Sequence, residues 1–259
     1  MTLAITTCAT PLFNRKDLSF VFGGGDGGLY LDNYGLLRAL ETIVFPDQAI
    51  KIVGKVFDQN HLMYQIAYED YFSSEPLYVD SRCIRINPKA QTKKKNLKSS
   101  NEIIESLWRL ESFPYVWGGN YSKGLLQMKE WYPPRRALTP LEELNWCFQG
   151  VDCSGLLYEV TEGHTPRNTS GLIHFGSAIN ILGLKTKEII SLIKPLDIFV
   201  WKGHVVIALD EHLTIESRAH KGGVYVCPMK ERLEQMMDEG KVASNQASQS
   251  HEFVLRRWI

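Results

Sequence analysis

The chain has 259 residues, of which 44% are apolar, and its 29 basic residues balance its 29 acidic residues. This length and composition allow one large domain or two small ones with full cores, and the balanced charge argues against nucleic acid or an anionic membrane as partner. Five scattered cysteines without a CxxC spacing argue against a disulfide framework and a zinc ribbon. No apolar run has the length of a membrane span, and the first residues lack the basic region of a signal peptide. We therefore expect a cytoplasmic protein.

Residues 1–88 are predicted to form a small antiparallel β-barrel. Short runs rich in Val, Ile, Tyr and Phe alternate with turn-forming residues, which is typical of such barrels. The predicted strands cover residues 10–13, 18–22, 50–58, 62–67, 77–79 and 83–86. A short helix is expected between Leu29 and Thr42. The order of these runs resembles bacterial SH3-like domains, and the segments that carry the resemblance are 9–13, 41–53, 63–67 and 78–79.

A polar, lysine-rich stretch at residues 89–100 predicts a linker, in which Lys93 to Lys95 form a solvated connector. An amphipathic helix with a cap at Ser100 then begins a second domain at 101–259. Within it, the connection 121–150 is long and contains a predicted helix from Pro140 to Phe148. Connections of this length in a compact domain are more often functional than idle, so we expect this one to lie beside a cleft.

Cys153 is the candidate nucleophile. It stands at the start of an apolar helical pattern, where unpaired N–H groups and the helix dipole favour a thiolate over a thiol. A buried and inert cysteine is the alternative. His204, at the start of a predicted strand, is the candidate base. Antiparallel strands are predicted at 198–201, 204–209, 213–217, 224–226 and 252–259, with helices at 187–193 and 229–240.

Four segments follow one another in an order that resembles the NlpC/P60 family of cell-wall cysteine peptidases. They are Tyr115-Val-Trp-Gly-Gly, Asp152-Cys-Ser-Gly, Pro166-Arg-Asn-Thr-Ser and the run from Leu196 to Leu209. The resemblance covers residues 101–226 and implies an α+β fold, in which the cysteine-bearing helix of a papain-like domain packs on an antiparallel sheet. Relatives with a preceding SH3-like domain cut free muropeptides in the cytoplasm during peptidoglycan recycling.

The resemblance implies that Cys153 is the nucleophile and His204 its base. It also places Glu216 at the position of the third catalytic residue, twelve residues after the base, where the family often has a histidine. If residues 209–211 form a three-residue hairpin loop, Glu216 lies opposite His204 on the same face of the sheet. A carboxylate there can orient the imidazole, and the first N–H groups of the helix can stabilise an oxyanion.

Six further residues are predicted to bind substrate, and a structural role is the alternative for Asp152, Tyr115 and Trp117. The resemblance implies that Asp152 and Ser154 bind the free amine of the terminal L-Ala of a stem peptide, although Asp152 can also be a plain helix cap. Arg167 or Thr169 is expected to meet a substrate carboxylate. The aromatic residues are expected to contact substrate beside the nucleophile, or else to be core residues; they are Tyr115 and Trp117.

Three functions are therefore compared. The first is an endopeptidase that cuts the γ-D-Glu–meso-diaminopimelate bond of peptidoglycan stem peptides or muropeptides, with no metal or other cofactor. The second is an N-acetylmuramoyl-L-alanine amidase or an acyl transferase that uses the same cysteine and histidine. The third is a non-catalytic binder of peptidoglycan peptides.

Overall fold

The computed structural model describes residues 2–59, 61–92, 96–247, 249 and 251–259. The protein is a mixed α/β structure that divides into two compact units, Met1–Lys95 with Val116–Val151, and Asn96–Tyr115 with Asp152–Ile259. The predicted boundaries at 88 and 101 differ from this division chiefly in residues 116–151, which belong to the first unit. The predicted connector Lys93 to Lys95 lies outside the described residues.

The N-terminal part of the chain forms one antiparallel sheet of seven strands with the order β3-β2-β6-β5-β4-β1-β7. Its elements are β1 (Thr2–Thr6), β2 (Thr10–Phe13), α1 (Leu18–Val21), β3 (Leu40–Val44), β4 (Ala49–Asp58), β5 (His61–Ala67), β6 (Leu77–Asp80) and β7 (Ile84–Ile86). Within the described residues the sheet is open, with β3 and β7 at its two edges. The strand-rich character predicted here is present, whereas the closed barrel is not.

Two local predictions in this region are wrong. The strand predicted at 18–22 is the single helical turn α1, whose residues Leu18 and Val21 are both buried at a spacing that suits a helix. The helix expected between Leu29 and Thr42 is absent. There the Asp32 carboxylate accepts hydrogen bonds from the backbone N–H groups of Tyr34 and Leu36, and such a local side-chain turn competes with helix formation.

The predicted amphipathic helix is α2 (Ser100–Arg109), which belongs to the second unit. Its cap is Ser99 rather than Ser100. The Ser99 side chain accepts from the N–H of Glu102, and the Glu102 carboxylate accepts from the N–H of Ser99, so that the two residues form a capping box. Ile103 and Leu107 are buried on one face of the helix.

The long connection before Cys153 completes the core of the first unit. It contains β8 (Asn120–Tyr121), α3 (Gln127–Trp131), α4 (Pro140–Trp146) and β9 (Gly150–Val151). Its buried apolar side chains pack with those of the N-terminal part of the chain. The cluster includes Phe13 and Phe22 from the N-terminal part, and Leu125, Met128, Tyr132, Trp146 and Phe148 from the connection. The Trp146 indole N–H donates to the Tyr132 carbonyl oxygen at 2.9 Å. The prediction of a helix at Pro140 is therefore confirmed, and the segment is a structural part of this unit.

Asn120 joins this segment to the sheet through its side chain. Its amide oxygen accepts from the backbone N–H of Ile43 at 2.8 Å, and its amide nitrogen donates to the Ile43 carbonyl oxygen at 2.7 Å. Asn120 is 0% exposed. The side chain thus makes both hydrogen bonds that a neighbouring strand would make to β3 at this position.

The second unit is built on a seven-stranded sheet. Six strands are antiparallel in the order β10-β16-β11-β12-β13-β14, and β15 pairs in parallel with β16. Its remaining elements are α5 (Cys153–Val160), α6 (Thr169–Leu172), β10 (Ser177–Ile179), α7 (Thr186–Ile190), β11 (Ile198–Trp201), β12 (His204–Ala208), β13 (Leu213–Arg218), β14 (Gly223–Pro228), α8 (Met229–Asp238), β15 (Val242–Ala243) and β16 (Glu252–Arg257). All principal predicted elements of this unit are present.

Helices cover the central strands of this sheet, which is why their sequences are almost continuously apolar. All of β11 and the residues Val205 to Ala208 of β12 are buried. Phe199 and Val206 pack in one cluster with Met229, Leu233 and Met236 of α8. The helix α5 contacts β12 and β13, so the cysteine-bearing helix lies on the antiparallel sheet. No helix in the described part of the chain is long and apolar enough to cross a membrane.

Candidate active site

Cys153 is the first residue of α5, and Asp152 caps that helix. The Asp152 carboxylate accepts a hydrogen bond from the backbone N–H of Gly155 at 2.6 Å. A carboxylate is favoured at this position because it satisfies an unpaired N–H group and interacts with the positive end of the helix dipole. Local sequence therefore suffices to start the helix at the candidate nucleophile.

Asp152 is also held by a buried arginine. Arg167 donates to both carboxylate oxygens of Asp152, at 2.7 and 3.0 Å, and to the Ser154 hydroxyl at 3.0 Å. Only 3% of Arg167 is exposed. Three of the predicted substrate-binding residues therefore lie together. Arg167, predicted to meet a substrate carboxylate, instead hydrogen-bonds to Asp152 and Ser154. In this arrangement the arginine neutralises the carboxylate and fixes the start of α5.

The Cys153 side chain is a thiol in this environment. Burial raises its pKa from 9.0 to about 12 and the Asp152 carboxylate adds to the increase, while Arg167 and the N–H groups of Ser154 and Val205 oppose it. The thiolate expected from the helix start is therefore outweighed by burial, since Cys153 is only 8% exposed. Its Sγ lies 3.8 Å from the Gly203 carbonyl oxygen. Removal of the thiol proton requires a base.

The candidate base follows a tight turn between β11 and β12. Trp201 pairs with His204, so that only Lys202 and Gly203 form the loop. Gly203 has a φ of 99°, a conformation that glycine adopts without strain and that side-chain-bearing residues rarely adopt. Its N–H donates to the Thr169 hydroxyl at 3.1 Å. Thr169, predicted as a substrate contact, thus holds the backbone of Gly203, the residue before His204.

His204 and Glu216 form a hydrogen bond between Nε2 and Oε2. The register differs from the predicted one, because Ala208 pairs with Thr214, whereas a loop of residues 209–211 would pair it with His212. Side chains alternate between faces with a period of two residues, and the shift is also two residues. Glu216 therefore stays on the face of His204 and reaches it diagonally.

The contact to Glu216 engages one imidazole nitrogen and leaves the other available. When Nε2 donates its proton to the carboxylate, Nδ1 is the nitrogen that can accept a proton. This nitrogen belongs to the residue next to Gly203, whose carbonyl oxygen lies against Cys153 Sγ. An imidazole held in this way can accept a proton at Nδ1, and Glu216 can then stabilise the imidazolium.

Glu216 is 0% exposed and is held by two residues that the sequence analysis did not identify. The Tyr225 hydroxyl donates to its Oε1 at 2.6 Å, and the Arg232 guanidinium forms an ion pair with the same oxygen. Burial alone raises the pKa of Glu216, but the hydrogen bond and charge of His204, together with Arg232 and Tyr225, bring it down to about 2. The carboxylate is therefore ionised.

A sequence signal for Arg232 exists. The buried residues of α8 are Met229, Arg232, Leu233 and Met236, which recur at the spacing of one apolar helical face. An arginine on such a face is seldom buried without a partner of opposite charge. The signal indicates a buried acid, although it does not say which one. Tyr225 carries no comparable signal, because tyrosine is common in strands.

Tyr115 and Trp117, the two aromatic residues predicted to contact substrate, belong to different units. Tyr115 is half-buried in the second unit, where its N–H donates to the Gly222 carbonyl oxygen at 3.0 Å. Trp117 is half-buried in the first unit, where the Arg38 guanidinium lies 3.7 Å from its ring centre. Their roles toward a substrate remain predictions. No group of three or more His, Cys, Asp or Glu side chains in the described ranges is arranged to hold a metal ion.

The sequence matches no protein-family model and none of the curated proteins with which it was compared. Its fold is similar to solved structures of low sequence identity. One is an NlpC/P60 family protein from Bacillus cereus ATCC 10987, with 12% identity and a TM-score of 0.37 over 99% of this chain. This chain covers 63% of that protein's length.

Two mycobacterial structures are also similar. The peptidoglycan hydrolase RipB from Mycobacterium tuberculosis has 20% identity and a TM-score of 0.34 over 50% of this chain and 57% of its own. RipD from the same organism, described as a non-catalytic NlpC/p60 domain protein adapted to peptidoglycan binding, has 16% identity and a TM-score of 0.37 over 63% of this chain and 100% of its own. These TM-scores lie below 0.5, so the functional argument rests on the site residues.

Proposed function

We propose that this chain is a cysteine peptidase of the NlpC/P60 type that hydrolyses the γ-D-Glu–meso-diaminopimelate bond of peptidoglycan stem peptides. The observation that carries the proposal is the His204–Glu216 hydrogen bond, next to a turn whose Gly203 carbonyl oxygen contacts Cys153 Sγ at the start of α5. A nucleophile, a base and a residue that orients the base are the three parts of thiol-based amide hydrolysis. In this proposal the three roles belong to Cys153, His204 and Glu216.

The proposed reaction begins with proton transfer from Cys153 Sγ to His204 Nδ1. The sulfur then forms a bond to the carbonyl carbon of the γ-D-Glu residue, and the carbonyl π electrons move to its oxygen, which the first N–H groups of α5 stabilise. When the oxyanion collapses, the C–N bond breaks and the diaminopimelate amine leaves with the proton from Nδ1. Water then hydrolyses the thioester with His204 again acting as base, which regenerates the thiol.

Substrate recognition in this proposal uses five of the predicted substrate-binding residues. Asp152 and Ser154 bind the amine of the stem's L-Ala while Arg167 holds the Asp152 carboxylate in place, and Tyr115 and Trp117 contact the stem. The SH3-like character of the first unit, a cytoplasmic location and free muropeptides as substrates belong to the same proposal. Their support is the sequence resemblance and the strand-rich first unit.

One observation favours a second candidate, a non-catalytic peptide binder. Cys153 is 8% exposed, and its thiol has a pKa of about 12. A buried, protonated cysteine is typical of an inert one. Under this alternative the same surface binds a stem peptide without cleaving it.

The test is incubation of the full chain with defined tri- and tetrapeptide stems, with and without a free N-terminal L-Ala, followed by mass spectrometry. The expected products are L-Ala-γ-D-Glu and a diaminopimelate-containing fragment, and Cys153→Ala should form neither. Cys8→Ala, which changes a cysteine of the first unit, serves as the matched control and should retain cleavage. Cleavage only at a muramoyl–Ala bond would indicate the amidase. Binding of stems with no product from any of them would indicate the binder.

A further inference from the structure

The Glu216 carboxylate lies between three side chains from three elements. His204 of β12 bonds to Oε2, Tyr225 of β14 donates to Oε1 at 2.6 Å, and Arg232 of α8 grips both oxygens. The Arg232 Nε bonds to Oε1, and its Nη2 lies 3.4 Å from Oε2. Arg232 and Glu216 are each 0% exposed. The arginine therefore contacts the carboxylate from its own helix, out of contact with solvent.

We propose that Arg232 is a positioning residue for His204: it fixes the plane of the Glu216 carboxylate and limits the affinity of His204 for protons. The catalytic part of this proposal rests on the proposed function, whereas its electrostatic part concerns His204 and Glu216 alone. Arg232 does not touch the reacting atoms in this scheme. It acts through Glu216.

The physical reason is the charge balance around a buried carboxylate. A carboxylate with no compensating cation would bind the protonated imidazole of His204 strongly, and a base that holds its proton cannot accept another from a thiol. A guanidinium on the far side of the carboxylate weakens that attraction and leaves the hydrogen bond in place. Charged or titratable groups that interact with Glu216 lie on β12, β13, β14, α8 and the turn after β13; they are His204, Arg218, His220, Tyr225, Cys227 and Arg232.

The other contacts of Arg232 are weak by comparison. Its Nη1 has no hydrogen-bond partner among the described residues and lies 3.8 Å from the Glu239 carboxylate, which also accepts from Arg218 at 3.3 Å. Its guanidinium carbon is 6.0 Å from the Trp201 ring centre. A fully buried arginine with an unsatisfied N–H group is costly, and apolar residues often replace buried ion pairs without loss of stability. Because stability alone does not require this costly arginine, we infer that Arg232 acts on Glu216.

The first test measures the proton affinity of His204 without using activity. His204 is titrated by NMR in a Cys153→Ala background, with His204→Gln to assign its signal, and with Arg232→Met, Tyr225→Phe and Lys230→Met added in turn. In Arg232→Met the midpoint should rise by about one pH unit or more, because a cation next to the carboxylate is lost. Tyr225→Phe should shift it less, because no charge is removed. Lys230→Met, an exposed change on the same helix, should leave it unchanged.

An unchanged midpoint in folded Arg232→Met would overturn the proposal. If that variant does not fold, Arg232→Lys provides the test, because it keeps a positive charge and lacks the two-pronged grip. Its kcat/KM on a stem peptide should fall about tenfold at neutral pH, because the carboxylate plane is no longer fixed. Wild-type values for both its midpoint and its kcat/KM would also overturn the proposal.

Measurement of kcat/KM against pH distinguishes a failure of this proposal from a failure of the proposed function. In the active chain, Arg232→Met should shift the lower limb of the kcat/KM profile to higher pH by the same amount as the NMR midpoint, whereas a merely structural role would lower activity at every pH alike. If the wild type cleaves no stem peptide, the proposed function fails. The NMR titration still decides whether Arg232 controls His204.

Discussion

Each unit of the molecule buries one carboxylate between an arginine and a tyrosine. In the first unit, Asp80 accepts from the Arg82 guanidinium at 3.0 Å and from the Tyr132 hydroxyl at 2.7 Å. In the second unit, Glu216 has the same kinds of partner in Arg232 and Tyr225. The shared chemistry shows that a buried carboxylate with an arginine and a tyrosine does not by itself mark a functional site.

Asp80 and Glu216 differ in the partner that each has besides an arginine and a tyrosine. Asp80 also caps a short turn by accepting from the Arg82 N–H at 2.9 Å, and no histidine hydrogen-bonds to it in the part of the chain that the structure describes. Arg82 is partly exposed and lies over the Trp131 ring. Glu216 instead bonds to His204, whose imidazole has one ring nitrogen that donates and one that can accept a proton. The Asp80 cluster thus contains only groups that hold a turn and a core side chain in place, whereas the Glu216 cluster includes an imidazole suited to proton transfer.

The largest expected effect comes from neutralising each carboxylate in turn. Glu216→Gln should lower the turnover of stem peptides by about 10²- to 10⁴-fold, because the imidazolium loses its partner. It should also cost about 3–5 kcal/mol of unfolding free energy, because the buried Arg232 guanidinium loses its counter-charge. Asp80→Asn should keep turnover while costing about 1–3 kcal/mol of unfolding free energy, since its arginine is partly solvated. Steady-state kinetics and urea unfolding on both variants check this. Equal turnover in Glu216→Gln and the wild type would remove the functional distinction.

A second comparison uses acid stability. The pKa of Glu216 is lowered from 4.5 to about 2, and that of Asp80 is lowered from 3.8. A lowered folded-state pKa contributes stability that is present above the unfolded pKa and is lost as the pH falls through the folded pKa. For Glu216 this contribution is of order 3–4 kcal/mol, lost between about pH 4.5 and pH 2.

Urea unfolding at a series of pH values measures both contributions. Glu216→Gln should flatten the acid limb of the second unit's transition, and Asp80→Asn should flatten that of the first unit from about pH 4 downward. A wild-type slope retained in Glu216→Gln would show that other groups cause the acid dependence.

The two tyrosines should have smaller effects. Tyr132→Phe and Tyr225→Phe each remove one hydrogen bond to a buried carboxylate, which costs about 1–2 kcal/mol of unfolding free energy. Only Tyr225→Phe should also change kcat/KM, because its hydroxyl bonds to the oxygen that Arg232 grips. Thermal unfolding and the peptide assay, run on both variants, distinguish the two. A loss of kcat/KM in Tyr132→Phe would contradict the assignment of its cluster to structure alone.

The smallest effects concern the helix caps, one in each unit. Ser99 caps α2 and Thr139 caps α4, each within a capping box. Replacement of either residue by Ala should cost about 1 kcal/mol. Neither replacement should alter kcat/KM, because both caps are exposed and lie outside the candidate site. Calorimetry of the two variants, with peptide cleavage as a control, tests this.

The sequence predicted the site best where the determinants are local. The start of α5 follows from Asp152 as a cap and an apolar pattern behind it, and the common face of His204 and Glu216 follows from strand alternation, which survived an incorrect register. Arg232 is not predicted as part of the site because its partner depends on how α8 packs on the sheet. The two residues lie in different elements, so neither a helical nor a strand pattern relates them.

In the first unit, even more of the structure depends on contacts that local sequence does not predict. Its strand β1 pairs with both β4 and β7, and neither pairing is visible in a short, weakly apolar N-terminal run. The helix expected before Thr42 fails because one carboxylate, Asp32, offers the backbone a competing turn. The segment 116–151 was counted with the second domain because it precedes Cys153 in sequence. Its apolar residues pack into the first core, and sequence proximity carries no information about that choice.

Asn120 has a consequence for the behaviour of the chain in concentrated solution. An edge strand presents unpaired N–H and C=O groups that can recruit a strand from another molecule, and such addition starts aggregation. On β3, one side chain occupies both groups of Ile43 and so blocks that site on the edge. Whatever reaction Cys153 supports, Asn120 thus makes the N–H and C=O of Ile43 inaccessible to a strand from another molecule.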